Sequence, residues 1–190
     1  MRTPSEHDAH YLLGLYLNDH LAGATAGVDL LKRTAKSHRG GPLGPQLERL
    51  AREVAQDRAS LKEMMRSLGV PERRSRAALG WLGEKAGRLK LNGRLLSRSP
   101  LSDVLELEAM RLGVQGKRSC WLSLRTLADS DERIDTQRLA RLLERADKQA
   151  ETLEDLRTMS AARVFDPGAT GPARPSARRH LRPHTPGGQG

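Results

Sequence analysis

His20, Asp57 and Glu108 are the residues of this chain best placed to do chemistry. Each falls on an apolar stripe, near the middle of a predicted helix. An ionisable group on a buried face is costly unless it is paired or bound to a metal. Two carboxylates and an imidazole in one layer would suit iron or manganese. Glu53 stands one turn before Asp57, and Glu144 and Asp147 lie on a later helix, so all three extend the candidate ligand set. The plainer reading of the same residues is an internal polar network. There His20, or an arginine such as Arg58 or Arg111, pairs with the carboxylates and fixes helix register.

Four long helices must position these side chains. The first is predicted from Ser5, as N-cap, to Lys36, with Leu13, Leu17, His20, Ala24, Gly27 and Leu31 on one face. Arg39-Gly-Gly-Pro42 ends it. The second runs from about Pro45 to Leu68, with a stripe of Leu47, Leu50, Val54, Asp57, Leu61, Met64 and Leu68; Gly69 follows as its C-terminal stop. Another starts at Ser99-Pro100 or Ser102 and reaches Ala128, with Leu101, Leu105, Glu108, Leu112 and Leu122 sharing a face. The last runs from an Asp135 N-cap to Phe165, striped by Leu139, Leu142, Leu143, Ala146, Ala150, Leu153 and Leu156. Gly14, Gly23 and Gly27, among the alanines of the first helix, are expected to allow a tight crossing against Gly113 and Gly116.

Composition agrees with an all-α chain. Aromatic residues are only 3% of the 190, and Leu, Ala, Arg and Glu dominate, which is a helix-forming alphabet. The single cysteine, Cys120, excludes an internal disulfide framework and a cysteine-built metal site, and it reads as a buried, inert thiol. No apolar run is long enough to span a bilayer, and the start Glu6-His7-Asp8 is unlike a secretory signal, so a cytoplasmic protein is expected. Neither a nucleophile elbow, a phosphate loop nor a dinucleotide fingerprint is present, and this leaves nucleophilic catalysis without support.

The net charge of +10 is carried by 26 arginines and seven lysines against 23 acids. Its excess is local. Glu72 to Arg98 holds eight cations against two carboxylates, and no acid follows Asp166 in a tail with four arginines. The first of these segments reads as a short amphipathic helix around Trp81, Leu82 and Leu89, weakened by glycines. Its Arg73, Arg74, Arg76, Arg88, Lys90 and Arg94 are candidate anion-binding residues for nucleic acid or an anionic surface. A solvated crossover, paired with acids such as Glu154 and Asp155, is the simpler reading. Residues 166–190, rich in Gly, Pro and Arg, are expected to be disordered.

Four stretches together resemble uncharacterised bacterial ferritin-like proteins. They are Tyr16-Leu-Asn-Asp-His-Leu-Ala-Gly-Ala-Thr-Ala-Gly27, Leu50-Ala-Arg-Glu-Val-Ala-Gln-Asp57, Gly87-Arg-Leu-Lys-Leu-Asn-Gly-Arg94 and Leu105-Glu-Leu-Glu-Ala-Met-Arg-Leu112. The resemblance spans about residues 5 to 165. It implies an antiparallel four-helix bundle over 1–165 with a short extra helix in a long second-to-third crossover. Ferritin-like di-iron sites take one Glu from each of two helices and Glu-x-x-His from the other two. This chain has no Glu-x-x-His, and Glu144-Arg-Ala-Asp147 places Asp where the motif needs His. The expectation is therefore a protein of structural or interaction type, a homo-oligomer in some settings, that keeps at most an altered carboxylate/His metal site. An electrostatic binder working through the crossover and tail is the second reading. A divergent metal-dependent oxidoreductase or iron-handling protein is the third.

Overall fold

A computed structural model describes residues 5–73 and 100–166. Four helices account for nearly all of them: α1 (Glu6–Ser37), α2 (Gly44–Ser67), α3 (Pro100–Leu127) and α4 (Thr136–Phe165). No strand occurs among the described residues. The helices pack together as α1 on α2, α3 on α4, α1 on α3 and α2 on α4. Arg74, Arg76, Arg88, Lys90, Arg94, the expected short helix around Trp81 and the tail beyond Asp166 lie outside the described residues; of the six anion-binding candidates only Arg73 is described.

Local chemistry sets the helix ends. Ser5 caps α1 by accepting from the Asp8 N–H, and the Asp8 carboxylate accepts in return from the Ser5 N–H, a closed capping box. Asp135 caps α4 by accepting from the Arg138 N–H at 2.9 Å. At the end of α2, the Val70 N–H donates to the Met65 carbonyl and the Gly69 N–H to the Arg66 carbonyl. That double closure requires a left-handed residue, and Gly69 supplies it at φ 72°. Asn18, buried on α1, then fixes where the chain goes next. Its Nδ2 donates to the carbonyls of Gly14 and Pro71, and its Oδ1 accepts from the Arg73 N–H.

The expected stripes of α2 and α4 are buried residue for residue. Those of α1 and α3 are out of phase with expectation. On α3 the buried face is Val104, Leu107, Met110, Val114, Trp121 and Leu124, while Leu112 is 55% exposed and Glu108 faces solvent. On α1, Leu17 and Leu31 are buried as expected, but Asn18, Leu21, Val28, Thr34 and Ala35 complete the face, and His20 is half-buried. The tight glycine crossing is absent as well. Among the described residues, a Cβ built at Gly23, Gly27, Gly113 or Gly116 meets nothing within 4 Å.

The apolar core divides into two clusters. One gathers Val28, Leu31, Leu47, Leu50, Val54, Met110, Val114, Leu153 and their neighbours. The other gathers Leu17, Leu21, Leu61, Met65, Cys120, Trp121, Leu139 and theirs. On α2 the residue between them is Asp57, between Val54 and Leu61. On α3 it is Lys117, between Val114 and Trp121.

Candidate functional site: a buried ionic layer

Each helix presents one residue to the level where the core divides. The seam of α2 reads Leu50, Val54, Asp57, Leu61, Met64; that of α3 reads Met110, Val114, Lys117, Trp121, Leu124; that of α4 reads Leu142, Ala146, Gln149, Leu153, Leu156. All three alternate steps of four and three, so Asp57, Lys117 and Gln149 must point inward with their apolar neighbours. In α1 the same register, Leu17, Leu21, Ala24, Val28, puts an alanine at this level. Its single methyl leaves the centre to the longer side chains.

Those side chains form one network. The Lys117 Nζ donates to Asp57 Oδ2 at 2.5 Å and also to Gln149 Oε1. The Gln149 amide donates to Asp57 Oδ2 at 3.2 Å and to Glu53 Oε2 at 3.1 Å. Arg145 of α4 makes an ion pair with the other Asp57 oxygen, Oδ1. Two cations thus face two carboxylates, with the Gln149 amide between them. Asp57 is 1% exposed, whereas the Lys117 side chain keeps 11% of its surface. Burial pushes the Lys117 ammonium below the ordinary lysine range; Asp57 and, more weakly, Glu53 pull it back, and Arg145 adds to the downward push.

The six residues expected to form a metal layer do not converge. Asp57 and Glu53 share the network, and Glu53 is also approached by Arg49 at 3.7 Å. His20 sits apart, its ring edge-on to Tyr16 with centroids 4.5 Å apart, and desolvation lowers its pKa against the opposing pull of Asp19. Glu108 lies 3.8 Å from Arg157 at the surface. Glu144 pairs with Lys148, and Asp147 with Arg118. Among the described residues no group of three or more His, Cys, Asp or Glu side chains stands where it could hold a metal ion. The donors that do meet, Asp57 and Glu53, already serve Lys117, Gln149 and Arg145, and two of those partners are cations. Iron or manganese does not fit this set.

Glu154, expected to pair with a crossover that lies outside the described residues, is engaged among those described by Arg111 at 3.2 Å and by Arg157. Neither Arg58 nor Arg111 enters the central network; Lys117 and Arg145 take the role assigned to them. Cys120 is buried, as expected, and its thiol is pushed up to about 12 by desolvation. No described helix is long and apolar enough to cross a membrane.

No protein-family model matches the chain, and no curated protein or solved structure matches it.

Proposed function

We propose that this chain is a ferritin-like bundle of structural or interaction type, in which the chain's own ammonium takes the central place that a metal ion holds in metal-binding relatives of that fold. The observation that carries the reading is the hydrogen bond from Lys117 to buried Asp57. A divalent ion about 4 Å from Lys117 and Arg145 would meet repulsion on the order of 8 kcal/mol from each of them at an effective dielectric constant near 20. The carboxylates that could offset it are already committed.

Pairings along the helices support the ferritin-like topology. Tyr16 meets Ser123 near one end of α1, and Thr34 meets Glu106 near the other, so α1 and α3 run antiparallel. Glu63 with Arg138 and Asp57 with Gln149 give the same sense for α2 and α4. With the short α1–α2 and α3–α4 turns, this makes α2 and α3 parallel. Parallel second and third helices are the arrangement that a ferritin-like fold has.

Metal analysis of protein purified without a histidine tag, followed by melting with added Fe(II) or Mn(II), tests the reading. Under about a tenth of an equivalent, and no rise in Tm, is expected for a chain that binds neither ion. A stoichiometric metal, or a Tm that climbs with its concentration, overturns it.

A further inference from the structure

The α1–α2 hairpin carries a groove of about 300 Å³ lined by alanines and cations. Its floor is apolar and shallow: Ala35 from α1, and Ala51 and Ala55 one turn apart on α2. Its walls are cationic. Lys32 and Lys36 stand one turn apart on α1, Arg39 follows at the helix exit, and Arg52 faces them from α2. Glu48 is the one acid in the lining.

Some surface cations sit beside carboxylates, as Arg49 does with Glu53, Lys62 with Glu72 and Arg118 with Asp147, while others, such as Arg141 and Arg163, stand singly among the described residues. None of the four groove cations forms an ion pair among the described residues. Four positive charges around one groove repel one another, and nothing in the lining but Glu48 relieves them. An anionic occupant would, and its chemistry is narrowed by the floor. A phosphate backbone offers nothing for three alanine methyls to contact. A bilayer surface is engaged by protruding side chains, whereas this floor is concave. Small floor residues between two helices do suit the close approach of a third helix. Carboxylates at i, i+4 and i+7 on such a helix would match Lys32, Lys36 and Arg39, leaving one apolar edge against the alanines.

We propose that this groove docks an acidic, amphipathic helical segment of a partner protein. The inference does not depend on what fills the bundle centre. Charge sets its encounter rate and selectivity, and the alanine floor supplies the apolar contact.

The test uses the full chain and a fluorescein-labelled synthetic helix of Glu, Ala and Leu, with glutamates at i, i+4 and i+7, read by anisotropy. Saturable binding is expected, weakened about tenfold or more by Lys36→Glu/Arg52→Glu and less than about twofold by Arg141→Glu/Arg163→Glu, which changes net charge equally at exposed sites elsewhere. Ala55→Phe, which fills the floor without altering charge, should also weaken it. So should replacing the peptide's leucines with serine. Circular dichroism melts identify which variants remain folded. Equal losses for the two charge-reversal pairs, or equal affinity for the serine peptide, would overturn the proposal. So would tighter binding, with the same dependence on Lys36 and Arg52, to a DNA duplex or to phosphatidylglycerol vesicles.

Discussion

Lys117 and Asp57, 60 residues apart in sequence, meet at 2.5 Å where the apolar core divides in two. The contact joins α3 to α2, which pack on opposite sides of the bundle, and Gln149 and Arg145 tie α4 to the same carboxylate. A purely apolar layer would bring more burial energy. The polar one specifies register, because a slip of one residue on α2 or α3 would leave a buried charge without its partner.

The lowered pKa of Lys117 fixes the sign of a pH dependence. Between its folded value and the ordinary lysine value near ~10.4, the unfolded chain binds more protons at this residue than the folded one. Stability contributed by Lys117 therefore rises with pH through that window, and the full penalty persists below it. Urea midpoints of the wild type and Lys117→Met, compared from about pH 8 to about pH 10.5, should move in the wild type's favour as pH rises. A difference that is flat, or that moves the other way, contradicts the assignment.

Cys120 should be inert while the chain is folded. With its thiol pushed up to about 12, only on the order of one molecule in ten thousand is thiolate at pH 8. Its reaction with an aromatic disulfide reagent should be slower than that of the urea-unfolded chain by a factor of about a thousand or more. Rapid labelling of the native protein would place the thiol in a different environment.

The glycines divide into two kinds. Gly23, Gly27, Gly113 and Gly116 have helical backbones and open space around an added Cβ among the described residues, so Gly→Ala at each should stabilise by about 0.5–1 kcal/mol. Gly69, at φ 72°, should respond in the opposite direction, losing on the order of 1 kcal/mol as alanine. Thermal melts of the five single variants check both signs. A loss at Gly23 or Gly116 would show that something packs against that face.

The α2 and α4 faces were legible in the sequence because their leucines recur at three and four with charged residues almost everywhere else. The α1 and α3 faces were not, because their apolar residues surround the helix. Leu101, Leu105 and Leu112 make as regular a stripe as Val104, Leu107 and Val114, and only packing against α4 and α1 decides between them. Asp57 stood out as an acid on a clear seam. Its partner did not, since the expected α3 stripe of Leu101, Leu105, Glu108, Leu112 and Leu122 passes Lys117 by. The signal was present: Met110, Val114, Lys117, Trp121 and Leu124 alternate four and three without a break, as do Ala146, Gln149 and Leu153. Two polar residues each completing an otherwise apolar seam, with an acid doing so on a third helix, point to one layer. The same phase puts His20 and Glu108 on apolar stripes, whereas Glu108 faces solvent and His20 is half-buried.

A double-mutant cycle on Asp57→Leu and Lys117→Met measures the central contact most directly. Asp57→Leu should cost about 3–5 kcal/mol because it leaves both Lys117 and Arg145 without their carboxylate, and Lys117→Met should cost less because Asp57 keeps Arg145 and Gln149. The double variant, with an apolar pair in place of the ionic one, should lose far less than the sum of the singles, giving a coupling of at least ~2 kcal/mol. Additivity to within about 0.5 kcal/mol would mean that Lys117 and Asp57 are independent, and would contradict the account.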